Sequence, residues 1–307
     1  MSINHIKTAI QKKGWYFCLS EAYKRLFPIR WVKNLKIIGL IHEWRSFSYL
    51  KRKYEPSLLN FHPDNVETQD DSNKRIWVLW LQGEENAPVI VKKCIQSIRD
   101  NAGNHEVCVL TNDNIPSYIT VPSYISDKLK KKKMQFATYS DYIRVALLEK
   151  YGGIWIDATV LLTSPIPEEI WAAPLFCFQK SCLYSSPILL SSWFLAANAH
   201  NSIIQQTKFL FEQYWQKENT LRNYLLFHLL FSLVVNATEE NRLAFKAVPY
   251  WNNVDVHYLQ FCLFDSYNEK LFEQICKKAF AHKLTYKFQD ESKLSQSGTF
   301  YQHIIHS

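Results

Sequence analysis

Glycine is scarce, seven residues in 307. A phosphate-cradling loop of the G-x-G-x-x-G or G-x-x-x-x-G-K-[ST] kind cannot be assembled from so few, so any nucleotide must be held by another device. The seven cysteines are odd in number, form no C-x-x-C pair and sit mostly among apolar neighbours. They read as buried thiols in a reducing compartment rather than a disulfide framework. H-E-x-x-H, Cys/His finger spacing and G-x-S-x-G are all missing, which removes zinc-hydrolase and serine-hydrolase readings. His303 and His306 near the end read as part of a solvated tail rather than a metal pair.

Long apolar runs are missing too. Residues 1–54 hold no stretch of about 18–20 apolar residues that would span a bilayer, nor the apolar core and small-residue cleavage site of a signal peptide. They do hold twelve Lys/Arg against two acidic residues, a balance of +10, so the formal +8 of the whole chain leaves 8 − 10 = −2 for the remainder. Trp15, Tyr16, Phe17, Phe27 and Trp31 are interleaved with those cations. Basic amphipathic helices of this kind lie on anionic membrane surfaces or pack on a neighbouring domain with a solvated basic face. No nucleic-acid module accompanies them, so no nucleic-acid partner is expected.

With 47% hydrophobic residues, the rest can bury one sizeable core, which argues for a single α/β domain with a small appendage. The division read from composition is a basic helical extension at 1–55, a linker or surface loop at 56–73, the main domain at 74–290 and a tail at 291–307. Within the main domain, Arg75 to Leu81 reads as a strand, 88–99 as a helix and 106–111 as a second strand, a βαβ start. Asn112, Asp113 and Asn114 then make a turn. Lys128 to Lys133, five lysines and a leucine, reads as a solvated helix face. Short strands follow at 175–178 and 193–197, and helices at 201–216, 221–235 and 270–280.

The stretch from Tyr139 to Thr163 organises all of this. Asp141 and Arg144 are three apart and share a helix face, yet Ile143, Val145, Ala146, Leu147 and Leu148 leave that helix almost no solvated side. Gly152-Gly153 reads as its C-cap. Ile154-Trp155-Ile156 reads as a central strand buried on both faces, with Asp157 at its carboxyl end, where ligands of open α/β sheets bind. An internal helical ion pair would absorb Asp141 and Arg144 on their own. Three charged groups converging on one strand end point instead to a concave polar site.

The pattern S-D-x-x-R-x-x-x-L-x-x-x-G-G-x-x-x-D, carried by Ser140, Asp141, Arg144, Leu148, Gly152, Gly153 and Asp157, resembles the donor-sugar segment of GT-A-fold glycosyltransferases. The likeness is to capsular polysaccharide synthesis proteins, related to the yeast-type mannosyltransferases and the glucosylating toxins. Flanking blocks at 76–88 (IWVLWLQGEENAP) and 282–287 (HKLTYK) extend it over about residues 74–287. The resemblance implies a GT-A-like single mixed sheet of Rossmann type flanked by helices. It also implies transfer of a sugar, with retention, from a nucleotide-sugar donor to a glycan or lipid-linked saccharide acceptor in bacterial surface glycan assembly. By the same resemblance Asp141, Arg144 and Asp157 are catalytic. Asp141 and Arg144 hold donor-sugar hydroxyls, and Asp157 contacts the sugar-nucleotide or metal. Trp80 and Gln82 hold the nucleotide, His282, Lys283, Tyr286 and Lys287 face the diphosphate, and His228 is on the acceptor side.

A divalent cation, Mn²⁺ or Mg²⁺, is implied as well, with Asp157 and His282 as its ligands. The D-x-D of GT-A enzymes is here Asp157-Ala158-Thr159, and the neutral oxygen of Thr159 is a poorer ligand for a hard cation than a carboxylate. That departure leaves room for a rival, a non-catalytic nucleotide-sugar-binding or scaffold protein. The expected location is the cytoplasm, attached peripherally to the inner face of the membrane through residues 1–54.

Overall fold

The computed structural model describes residues 35–62, 74–180 and 185–306. In chain order the strands are β1 (Ile76–Leu79), β2 (Val107–Leu110), β3 (Gly153–Ile156), β4 (Val160–Leu162), β5 (Leu175–Gln179), β6 (Leu190–Ala197) and β7 (Ala281–Lys283). The helices that matter most here are α1 (Leu35–Tyr54), α2 (Val89–Asp100), α3 (Ser123–Lys130), α4 (Phe136–Tyr151), α5 (Ser202–Lys217), α6 (Leu226–Ala237) and α7 (Glu269–Lys278). A five-stranded mixed sheet runs β2-β1-β3-β6-β5. β1 is parallel to β2 and to β3, and β6 is antiparallel to β3 and β5. A separate two-stranded ladder pairs β4 with β7. This is the α/β class with a single mixed sheet flanked by helices.

Strand period decides how the layers fill. Ile154 and Ile156 of β3, with Ile76 and Val78 of β1 and Phe176 and Phe178 of β5, enter a core shared with α2 and α7. Trp155, Trp77, Cys177 and Leu195, one residue out of phase, enter a second core shared with α4, α5 and α6. All four residues of β3 are buried, so the strand reads as a continuous apolar run, and each such side chain taken from water contributes about 1.5–3 kcal/mol.

The turn from α4 into β3 requires its two glycines. Gly152 has φ 64° and Gly153 φ 95°, and a Cβ on Gly153 would stand 2.3 Å from the Arg75 carbonyl oxygen on the neighbouring chain segment. Residues with side chains rarely take that backbone conformation, and at Gly153 the approach leaves no room for a Cβ.

Three sequence expectations change here. The end of the chain is not a solvated tail: Phe300–His306 is a helix that buries Phe300, Tyr301 and Ile304 in the core shared with α2 and α7, and His303 stacks on Tyr267 with ring centroids 3.9 Å apart. The run at 128–133 is not wholly a solvated face. Lys128 is buried, its Nζ donating to the Glu218 carbonyl at 2.6 Å and to the Trp215 carbonyl at the C-terminal end of α5, which receives a charged donor well. The residues before 55 are not all appendage either. The 1–34 part of the basic segment lies outside the described residues, but α1 inserts Leu50 and Tyr54, both fully buried, into the α4–α6 core. Of the 56–73 stretch, residues 63–73 lie outside the described residues. Glu55–Asn60 forms a 3-10 turn, and Phe61 stacks on Phe209 with ring centroids 4.7 Å apart.

Candidate active site

Because side chains two apart on a strand share a face, Trp155 and Asp157 both look toward the layer that contains α4. α4 is buried along nine of its sixteen residues, Arg144 among them. Arg144 therefore projects from a packed helix onto the end of a packed strand. One of its terminal nitrogens donates to Asp141 Oδ1 and the other to Asp157 Oδ1 at 3.1 Å. The guanidinium lies 4.9 Å from the Trp155 ring centroid and 5.6 Å from that of Phe227, stacked between aromatic faces. Trp155 Nε1 adds a donor to the same Asp157 oxygen at 2.9 Å.

The other oxygen of Asp157 is taken from the far end of the chain. Lys283 Nζ lies 2.7 Å from Asp157 Oδ2 and 2.7 Å from Thr159 Oγ1. The β4–β7 ladder sets this up: Val160 pairs with Lys283, and Leu284 N donates to the Thr159 carbonyl at 2.9 Å.

Charge follows from these contacts. Burial pushes the Asp157 carboxyl up, but the Lys283 ammonium and the Arg144 guanidinium outweigh it and hold the group below its usual range. For Asp141 burial wins over Arg144 and pushes the carboxyl up to about 6. His228 is pushed down to about 3 by burial and by the Arg144 cation, so it is a neutral imidazole at neutral pH.

These groups floor a cleft of about 400 Å³ that also takes in Gln82, Ser140, Ser192, Tyr286 and Lys287. Three cationic side chains (Arg144, Lys283 and Lys287) against two carboxylates leave the cleft one net positive charge, suited to an anionic ligand. Trp80 makes a T-shaped contact with Tyr286, ring centroids 5.1 Å apart, and its indole Nε1 is buried with no hydrogen-bond partner among the described residues. Phe136 and Tyr224 line the same cleft yet are 63% and 66% exposed.

The model of the family described as capsular polysaccharide synthesis protein matches residues 31–304. The chain belongs to that family. The match runs well past the 74–287 expected from sequence and takes in α1, as the shared core requires. An O-glycosyltransferase of Phomopsis amygdali, PaGT, is 30% identical over 111 residues, which are 33% of this chain. The matched part spans only 27% of that relative. Among solved structures, the PaToxG glycosyltransferase aligns over 86% of this chain and 95% of its own at 14% identity, TM-score 0.42. The apo form of the glycosyltransferase GlyE of Streptococcus pneumoniae aligns over 76% of this chain and 60% of its own at 12% identity, TM-score 0.38.

In this chain, the structure brings Trp80, Gln82, Asp141, Arg144, Asp157, His228, Lys283, Tyr286 and Lys287 to one cleft. His282 is not among them, and its expected places, beside Asp157 as a metal ligand and facing the diphosphate, are both corrected. In a strand, adjacent side chains point oppositely, so with Lys283 turned to Asp157, His282 turns into the protein. It is fully buried, with Nε2 3.0 Å from Thr163 Oγ1. The remaining donors do not fit a divalent cation as they stand. Asp157 has both oxygens engaged by cations, Asp141 is paired with Arg144, and Thr159 already accepts from Lys283. Among the described residues no group of three His, Cys, Asp or Glu could hold a metal ion.

Some cleft residues were missed by sequence reasoning. Trp155 was legible, two residues before Asp157 on a strand and so on its face. Phe136 and Tyr224 carry no local signal, because a helix end or a loop chooses what it lines by tertiary packing, and Ser192 lies inside β6, where its part in the cleft depends on the strand's neighbours.

Proposed function

We propose that this chain is a glycosyltransferase of GT-A type that moves a sugar from a nucleotide-sugar donor to a growing bacterial surface glycan, with retention of configuration. The observation that carries this reading is the Asp157 carboxylate, gripped on one oxygen by Arg144 and on the other by Lys283 at the floor of an electropositive cleft. Family membership supports the class of product.

Each group has a role in that reaction. Asp141 and Arg144 hold donor-sugar hydroxyls, the carboxylate accepting and the guanidinium donating. Asp157 orients Arg144 and Lys283 and contacts the sugar. Trp80, backed by Tyr286, offers an aromatic surface to the base. Lys283 and Lys287 face the diphosphate. In the transfer, the bond between the anomeric carbon and the diphosphate oxygen breaks, and its electron pair leaves on that oxygen. The acceptor hydroxyl oxygen bonds to the anomeric carbon, and its proton passes to the departing diphosphate. Positive charge fixed beside the leaving oxygen favours the transition state over the ground state. No side chain need act as nucleophile. Phe136 and Tyr224, exposed at the same cleft, give an acceptor sugar two rings to pack on.

The membrane reading has support in α1. Ile37, Ile41 and Trp44 recur at helical spacing and are 60%, 46% and 45% exposed. Lys51, Arg52 and Lys53 close the helix. An apolar stripe among cations suits an anionic leaflet, at about 1 kcal/mol per basic residue near the surface. No described helix is long and apolar enough to cross a membrane.

The decisive experiment is a panel of nucleotide sugars offered to purified protein with a lipid-linked acceptor mixture, read by mass spectrometry. Release of nucleoside diphosphate with transfer is expected from at least one donor. Binding without release would favour the scaffold reading, which Thr159 in place of a carboxylate keeps alive. Neither binding nor turnover across the panel would sink both.

A further inference from the structure

We propose that Lys283 is the cation of this site: its ammonium, in place of a divalent metal ion, neutralises the diphosphate of the donor. The inference rests on the nucleotide-sugar reading above and adds how the charge is balanced.

The geometry carries it. In a D-x-D turn the first and third side chains present oxygens to a shared cation. Those positions are Asp157 and Thr159 here, and Lys283 Nζ stands 2.7 Å from an oxygen of each. An ammonium has three N–H donors and no acceptor. Two are spent on these oxygens, and the third has no partner among the described residues, while the side chain lines the cleft and is 20% exposed. Lys283 is thus tied to the protein on one side and open to an anion on the other.

Its position is built in by strand register rather than adopted by a mobile surface lysine. The pairing of Val160 with Lys283 and the hydrogen bond from Leu284 N to the Thr159 carbonyl hold the backbone on both sides of the contact. A divalent ion would have to displace the ammonium from both oxygens and still lie beside Arg144, whose guanidinium is on the opposite oxygen of Asp157 at 3.1 Å. Magnesium and calcium need six or more oxygen ligands, and the turn offers them a carboxylate already shared by two cations and a neutral hydroxyl. The missing second carboxylate and the lysine are then two halves of one arrangement: a monovalent cation needs less negative charge to hold it.

The test is calorimetric binding of UDP, GDP, ADP and CDP to the full-length protein, in excess chelator and again in millimolar Mn²⁺. For whichever diphosphate binds, affinity in chelator is expected to match that in Mn²⁺ within about twofold. Lys283→Met should weaken binding in chelator by about tenfold or more, with Lys283→Arg retaining most of it, because a charge-assisted contact is lost in the first and kept in the second. Binding that appears only with Mn²⁺ overturns the inference and leaves the donor reading intact, and this arm needs no variant to fold. Undiminished binding by a folded Lys283→Met protein in chelator overturns it too. Failure of all four diphosphates in both conditions overturns the donor reading and the inference with it.

Discussion

Replacing Asp157 by Asn is the sharpest single perturbation of this site, because the change is nearly isosteric and its cost can be worked from contacts. The carboxylate accepts from Arg144, Trp155 and Lys283. An amide has one acceptor oxygen and brings two N–H groups of its own. If the oxygen stays with Arg144 and Trp155, the amide nitrogen faces the Lys283 ammonium, donor against donor. The contact with Lys283 is then lost outright and that with Arg144 loses its charge. Hydrogen bonds to charged groups contribute about 1.5–3 kcal/mol each, and breaking a buried pair costs about 3–5 kcal/mol. Arg144 keeps Asp141, and Lys283 is 20% exposed and can turn to water, so the low end applies, about 3 kcal/mol.

Set against a typical 5–15 kcal/mol of total stability, roughly 3 kcal/mol leaves a folded protein. At about 2–4 °C per kcal/mol it should lower the melting temperature by roughly 6–12 °C. The sign with pH is fixed by the depressed Asp157 pKa. The stabilisation is complete above the unfolded carboxylate value, about 3.9, and is lost as pH falls through the lower folded value. The gap between wild type and Asp157→Asn should therefore hold from neutral pH to mildly acid conditions and close only in stronger acid. Thermal melts of both proteins across that range test it, with Lys283→Met and the double variant completing a cycle whose coupling should exceed about 1 kcal/mol. Melting of Asp157→Asn within about 2 °C of wild type at neutral pH, or additive single variants, would show that the two cations do not depend on this carboxylate and that the site is wrongly understood.

Asp141, pushed up to about 6 by burial, must be ionised to pair with Arg144, so donor KM should rise as pH falls through 6. Asp141→Asn should abolish that acid limb at a cost in affinity, and a limb that survives the substitution belongs to another group. Trp80→Ala should weaken nucleoside diphosphate binding by about five- to a hundredfold, the range expected for one base–aromatic stack, measured by calorimetry; an unchanged affinity would return Trp80 to a packing role. For the membrane, removing residues 1–34, which carry seven Lys/Arg and one acidic residue, should reduce co-sedimentation with anionic vesicles, and vesicle binding unaffected by the deletion would refute the membrane reading. Removing 1–54 would also strip Leu50 and Tyr54 from the core and is predicted to destabilise, so only the shorter deletion isolates surface binding.

Much of the site was legible because it lies where burial and charge conflict. Arg144 and Asp141 sit on a helix with no wet side, and Asp157 ends a strand buried on both faces, so each charge had to find a partner or a ligand. Trp155 could have been added by parity alone. The extent of the domain was harder to read. Among the described side chains of α1 only Leu50 and Tyr54 are fully buried hydrophobics, and the others look like the basic segment before them. Lys128, inside a lysine run, gave no sign that one of five identical side chains would end on the carbonyls that finish α5.

The choice between His282 and Lys283 was out of reach of local pattern for a sharper reason. Both lie on β7, three residues long, and a one-residue change of register exchanges which side of a strand every side chain takes. Apolar alternation sets register in longer strands, but Ala281-His282-Lys283 has none to read, so the parity comes from its pairing with β4 across about 120 residues of intervening chain. With Val160 opposite Lys283, the ammonium reaches Asp157 and the imidazole turns to Thr163. With the register moved by one, the imidazole would face the carboxylate and offer a nitrogen to a metal ion. The hydrogen bond from Leu284 N to the Thr159 carbonyl therefore decides more than a strand pairing, since on it depends whether the D-x-T turn meets a ligand for a cation or a cation of its own.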